Sequence, residues 1–306
     1  MTANISSPAP PYLFGASRRR SDDLVLRTVP EFFGDYDEAF LGSGARALVM
    51  MRHHSDAGYR LHSASSELLA VWRALPGAVD EIAARVLEHA ARHARSHFDE
   101  VRRSVEISDA ERAARFIYLC GTAQGSGLAN TADDFATARY GRDTVAFDEA
   151  NVRAVGGLLA DRDVRVDARP LFDQLADVRE DDYVFLEPPG SGGLLPGSEV
   201  STQRELKSYI GTVTARGAFL LYSEHPSTDG YGGTSARSVP AGGAAAGGAA
   251  AGGAAAGGAT GSVPAASALS ALAHSDGEPL WANGLLVRAL RSGGGVSTGG
   301  GDNRYR

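Results

Sequence analysis

The chain has 306 residues, 43% of them hydrophobic, enough for one large α/β domain or two small ones with a real core. Its net charge of -7 excludes a protein that coats nucleic acid nonspecifically, since that mode needs broad phosphate neutralisation, but leaves room for a local basic cleft. Cys120 is the only cysteine, which excludes a disulfide framework and a cysteine-based metal site.

Residues 1–10 read as a flexible tail without the charged-then-apolar pattern of a signal peptide. No apolar stretch is long enough to span a bilayer, so a cytoplasmic protein without a membrane partner is expected. From Tyr36 to Met50 the pattern is strand, glycine turn, helix, with Gly42-Ser43-Gly44 as the turn. Such a turn lets the backbone approach a cofactor closely and points a helix N-terminus at it. Residues 66–121 read as helical. Ser66-Glu67 opens a stretch carrying Leu68, Leu69, Val71, Trp72 and Leu75, and Pro76-Gly77 breaks it. A longer helix follows, with Ile82, Val86, Leu87, Phe98 and Val101 on its inner side. Ser108-Asp109-Ala110-Glu111 is a capping box before Ala113, Ala114, Phe116, Ile117 and Leu119. Cys120 ends that apolar run and reads as a buried structural thiol. Residues 122–146 are polar and glycine-rich, so a loop or irregular lobe is expected.

A helix over about 148–160 precedes a short strand at Val164-Arg165-Val166. Tyr183-Val184-Phe185-Leu186 has the continuous apolar character of a buried parallel strand. A helix from Ser201 through Ile210 and a strand at Ala218–Tyr222 follow. Strands alternating with helices predict an α/β fold with a doubly wound, mostly parallel sheet, and the helix-only stretch reads as an inserted lobe. The Ala/Gly repeat within residues 236–265 lacks side chains to bury and reads as a low-complexity linker. Glu278–Val287 reads as a last strand, and 292–306 as a flexible tail.

Ligands of doubly wound folds bind at the carboxyl ends of the strands. Glu187-Pro188-Pro189-Gly190 stands at that position after the Tyr183–Leu186 strand. An acid followed by two prolines at this spot is close to the catalytic motif of amino-methylating DNA methyltransferases.

In order and spacing, residues 11–65 and 148–235 plus 278–290 resemble the Dam-like DNA adenine-N6 methyltransferases, with 66–147 in the place of their inserted helical DNA-recognition lobe. Gly15-Ala16-Ser17-Arg18 stands where the family opens with Gly-Gly-Lys or Gly-Ser-Lys. Glu38-Ala39-Phe40-Leu41-Gly42-Ser43-Gly44 is similar to its cofactor loop, Glu-Pro-Phe-x-Gly-x-Gly. Glu111–Leu119, Phe147–Arg153 and Glu278–Asn283 resemble later segments. The resemblance implies S-adenosylmethionine as methyl donor, held by Phe14, Gly15, Arg18, Glu38, Phe40, Gly42 and Gly44. It implies duplex DNA as partner, with Arg19 and Arg20 on the backbone and a target adenine flipped into a pocket. Glu187, Pro188 and Pro189 would hold the exocyclic amine in line with the methyl group, and no metal takes part. The role implied is DNA adenine methylation of the restriction-modification kind.

The chain departs from the family at its chemistry. Glu187 stands for Asp, and Gly190 for the Tyr that stacks on the base. His62-Ser63-Ala64-Ser65 stands for Asp-x-Asn, Gly121–Gly127 for Asn-Arg-Thr-x-Phe-Asn-Gly, and Arg169-Pro170-Leu171 is near the family's Gly-Asp-Phe. These departures raise a second reading, a catalytically inactive homologue that binds DNA or a partner protein, and a third, methylation of something other than a flipped base. His89, His93 and His97 recur every four residues, a spacing that could face a metal, but flanking Arg92 and Arg95 favour a solvated helix face. Arg85, Arg92, Arg95, Arg102, Arg103, Arg112 and Arg115 form either a phosphate-facing surface or a solvated face neutralised by Glu88, Asp99 and Glu100. Ser223, His225 and Asp229 are hydrolase residue types without a nucleophile elbow.

Overall fold

A computed structural model describes residues 8–12, 25–124, 135, 138–188, 203–223, 269–275 and 278–292. In chain order the elements are β1 Tyr36–Glu38, α1 Ala45–His53, β2 Tyr59–His62, α2 Ser66–Ala91, α3 Arg95–Val101, α4 Asp109–Thr122, α5 Glu149–Ala160, β3 Val164–Asp167, α6 Leu171–Gln174, β4 Tyr183–Leu186, α7 Gln203–Ala215, β5 Phe219–Ser223, β6 Leu269–Ser275, β7 Glu278–Asn283 and α8 Gly284–Ser292. Among the described residues the strands form one sheet in the order β3-β2-β1-β4-β5-β7-β6. Strands β1 to β5 run parallel, and β7 runs antiparallel to both β5 and β6.

The inner strands β1, β2, β4 and β5 are buried on both faces, as a parallel sheet requires, while the edge strand β3 is partly exposed. Tyr36, Tyr183, Phe185 and Leu221 point to the face covered by α1, α2, α4, α5 and α8. Val184, Leu186, Leu220 and Tyr222 point to the opposite face, covered by α6 and α7 through Leu171, Tyr209, Ile210 and Val213. The α/β fold is therefore doubly wound. The helices α2 and α4 share one continuous core with the sheet through Leu41, Trp72 and Phe116.

Several local expectations hold. Ser108 Oγ accepts from the Glu111 amide at 3.1 Å while Glu111 returns a carboxylate to the Ser108 amide at 3.1 Å, completing the capping box. Cys120 is buried, and burial pushes its thiol pKa well up, so it is an inert thiol.

The break expected at Pro76-Gly77 lies one residue on: two helices meet within α2 at a kink at Ala78, where φ -133° and ψ 24° are non-helical. Other expectations change. The following helix stops at Ala91, and α3 is separate, so Phe98 and Val101 belong to another element; Leu87 is 45% exposed. Gly284–Val287 is the start of α8, not the end of a strand. Strands β2 and β6 were not expected at all. Residues 1–7, all of 236–265 and 293–306 lie outside the described residues.

Candidate functional site

The chain winds outward from β1 to β3 and then returns to β4 and β5, so the direction of winding reverses between β1 and β4. In open α/β sheets that reversal leaves a crevice above the carboxyl ends of the two strands, which is where ligands sit. Glu38 ends β1 and is buried, opposite Phe185 of β4. Tyr36, on the same face, donates its hydroxyl to Glu38 Oε2 at 2.8 Å. Burial first, and the Glu38 charge second, hold the Tyr36 hydroxyl protonated, well above its usual pKa.

The loop that follows is pinned on both sides. Ala39 donates its amide to Phe185 at 3.1 Å, and Leu41 donates to His62 at 2.6 Å. Phe40 packs against the core under α6 and α7. Gly44 has φ +70°, the left-handed region where a side chain is disfavoured, and a Cβ there would meet Trp72 Cζ2 at 2.0 Å. Gly42 is the opposite case, since a Cβ there would find no atom of the described residues within 4 Å. Its open side can admit a ligand against the backbone. Its carbonyl accepts from Tyr12 Oη at 3.0 Å, and Trp72 Nε1 donates to that hydroxyl at 2.7 Å. Helix α1 begins at Ala45 with Gly44 as its N-cap and no acid in its first turn; Ser43 Oγ accepts from the Ala45 amide at 3.4 Å, and the rest of its amide end can face an electron-rich group.

Glu187 and Pro188 follow β4 directly and are half-buried, so Glu38 and Glu187 flank the crevice. Ser223, buried at the end of β5, donates its hydroxyl to Glu187 Oε1 at 3.4 Å. That contact gives Ser223 a partner other than a hydrolase triad. Phe14, Gly15, Arg18, Arg19, Arg20, Pro189 and Gly190 lie outside the described residues, as do Glu224, His225 and Asp229.

At the neighbouring strand ends the expected acid is absent from β2 but one is present on β3. His62 Nδ1 lies 2.6 Å from Asp167 Oδ1, and its Nε2 lies 3.5 Å from Asp37 Oδ2. Burial opposes the imidazolium, and the carboxylates of Asp37 and Asp167 outweigh it, so the His62 pKa is raised. Asp167 is shifted the other way: burial disfavours its charge, but the His62 contact and the Arg169 amide hold its carboxyl below the usual range. Arg169 Nε also binds Asp167 Oδ2 at 2.9 Å. Asp167 was missed in the sequence, although an acid directly after a short apolar strand is the signal that would have found it. Trp72 reads there as core and Tyr12 carries no assigned role, yet both brace the glycine turn. Ser63 and Ser65 cap α2: Ser65 Oγ accepts from Leu68 at 3.1 Å and Ser63 Oγ from Ser65 at 3.2 Å.

The other charged clusters are paired within the chain. Arg60 of β2 binds Asp35 at 2.8 Å, Asp37 at 3.1 Å and Asp182 at 2.6 Å. In the helical segment Arg85, Arg92, Arg102, Arg112 and Arg115 pair with Glu81, Glu100, Asp99 and Glu67, which favours the neutralised face over a phosphate-facing one. The three histidines do not share a solvated face. His89 belongs to α2, His93 to the turn after it and His97 to α3, and all three gather round Tyr118 of α4. His89 Nδ1 meets His97 Nε2 at 3.1 Å, and His93 Nδ1 meets the Tyr118 hydroxyl at 2.8 Å. Among the described residues no group of three or more His, Cys, Asp or Glu side chains is arranged to hold a metal ion. No helix among them is long and apolar enough to cross a membrane.

No protein-family model matches the chain, and no curated protein matches it.

Proposed function

We propose that the chain is an S-adenosylmethionine-dependent methyltransferase of the DNA adenine-N6 type, with its cofactor in the crevice above β1 and β4. The observation that carries this reading is the glycine turn at the switch point. Gly44 is held in the left-handed region against Trp72, Gly42 is open to the crevice, and Glu38 lies buried beside them. A doubly wound sheet with a reversed strand near one edge fits the methyltransferase type that the sequence resembles. Asp167 lies two residues before the Arg169-Pro170-Leu171 segment and supplies an acid at the end of β3.

S-adenosylmethionine would bring the methyl group on its sulfonium, and the chain would supply position. The Glu187 carboxylate would accept a hydrogen bond from the target amine and turn its lone pair toward the methyl carbon. The Ser223 hydroxyl would restrain that carboxylate. Glu reaches one methylene further than the family's Asp, and a misplacement of about 1 Å can cost about a hundredfold in rate. A second reading, an inactive homologue binding DNA or a protein, is favoured by the β2 end, where Ser63 and Ser65 serve a helix cap and His62 is engaged by two carboxylates.

The test is calorimetric titration with S-adenosylmethionine, followed by transfer of a labelled methyl group to unmethylated duplex DNA. Micromolar binding with transfer that Glu187→Gln abolishes is the expected result. Binding without transfer would support the inactive homologue, and no binding at millimolar cofactor would sink the enzyme reading.

A further inference from the structure

Beneath the crevice a line of side chains of alternating charge crosses the sheet. Asp182 Oδ2 meets Arg60 Nη2 at 2.6 Å, and Arg60 Nε meets Asp37 Oδ2 at 3.1 Å. Asp37 Oδ2 faces His62 Nε2 at 3.5 Å, His62 Nδ1 meets Asp167 Oδ1 at 2.6 Å, and Asp167 Oδ2 takes Arg169 Nε at 2.9 Å. Arg169 is braced in turn by Asp177 at 2.6 Å. The line begins in the interior, where Asp37 is 0% and His62 is 1% exposed, and reaches the mouth at Asp167, whose side chain is 23% exposed. Tyr209 of α7, also buried, sits close enough to Asp37 and Arg60 to feel both charges.

His62 is the single imidazole in this line, and both of its nitrogens face acceptors. Protonated, it donates Nδ1–H to Asp167 and turns its charge toward Asp37, with no hydrogen bond formed at Nε2. Neutral, it keeps one proton and must turn a lone pair toward one of two carboxylates. The charge that assists the hold on Asp167 therefore depends on the protonation of His62.

We propose that His62 is a positioning residue, whose imidazolium fixes the Asp167 carboxylate as the hydrogen-bond acceptor offered at the β3 end of the crevice to the nucleoside part of a ligand. The chain would thus bind its ligand in a proton-dependent way where the resembled family places an acid. The inference rests on the reading that the crevice takes a nucleoside cofactor.

S-adenosylhomocysteine, which cannot turn over, is the probe. Its affinity is measured by calorimetry from pH 6 to pH 9 in the intact chain and in His62→Gln. The His62 imidazole and the Asp167 side-chain carboxyl carbon are followed by NMR over the same range. The expected result is an affinity that falls about tenfold as pH rises, the scale of one charge-assisted hydrogen bond. His62→Gln should have a flat profile, and the Asp167 signal should move at the His62 midpoint. An identical profile in the variant, or an Asp167 signal indifferent to His62, would overturn the proposal. If the probe binds at no pH, the cofactor reading falls, and the NMR pair still decides whether His62 positions Asp167. If His62→Gln does not fold, Asp167→Asn replaces it: the His62 midpoint should then drop, and an unchanged midpoint is the contrary result.

Discussion

Replacing Gly44 by alanine tests the geometry of the glycine turn at one methyl group. The residue sits at φ +70°, and the added Cβ would lie 2.0 Å from Trp72 Cζ2 and 2.4 Å from Cη2. The left-handed backbone costs a non-glycine residue about 1–2 kcal/mol. Forcing a methyl into a filled core costs about 1–3 kcal/mol more, because the Trp72 ring, itself 1% exposed, has to shift. The sum, about 2–5 kcal/mol, is a large share of the ~5–15 kcal/mol that stabilises a typical domain. Urea unfolding followed by tryptophan fluorescence measures it, with Trp72 and Trp281 as reporters. Gly42→Ala is the internal control: with no atom of the described residues within 4 Å of its Cβ, stability should stay within about 0.5 kcal/mol while cofactor affinity falls. Adding Trp72→Leu to Gly44→Ala should recover the steric part, giving a coupling of about 1–3 kcal/mol. A Gly44→Ala protein as stable as the parent would refute the reasoning, as would a double-mutant cycle with no coupling.

Arg60→Met should destabilise the fold by about 3–5 kcal/mol, because it leaves the fully buried Asp37 carboxylate without its guanidinium; chemical denaturation reads the loss. The His62 contribution has a defined pH sign. Its folded pKa is raised, so the stability it adds is present below its unfolded value near 6.5 and is lost as pH rises through the folded value. The difference in unfolding free energy between the parent and His62→Gln should therefore shrink between pH 6 and pH 9, and a constant difference would contradict it. Native Cys120 should resist a thiol reagent such as dithionitrobenzoate at neutral pH and react fully once urea unfolds the chain, since its thiol is buried and its pKa pushed up. Rapid labelling of the folded protein would show the site open. Ser65→Ala should cost about 1 kcal/mol by removing the α2 cap, with no effect on chemistry beyond stability if the serine is only structural; a selective loss of cofactor binding would give it a second role.

What the sequence alone determined were features written in adjacent residues. The β4 strand follows from four consecutive apolar residues, the α4 start from a serine three residues before a glutamate, and the β1–turn–α1 unit from two glycines between apolar runs. Glu38, Gly42, Gly44 and Glu187 stand beside these strands and this turn, and their proposed roles come from the family resemblance.

Tertiary structure decided the rest, because it depends on partners distant in the chain. The break at Pro76-Gly77 is legible locally, but the packing of the two halves of α2, on either side of the Ala78 kink, into one core with α4 and α5 is not. Tyr-Arg-Leu-His at β2 carries too many polar groups to read as a buried strand. Arg60 and His62 can be buried there only because Asp35 and Asp37, Asp167, and Asp182 reach them from before or within β1, from the end of β3 and from before β4. The same pairing brings Asp167 to the crevice, and the packing of α2 and α3 against α4 turns three evenly spaced histidines into a cluster round Tyr118. A buried charge is tolerated only with its counter-charge in place, and strand pairing across more than a hundred residues supplies that partner.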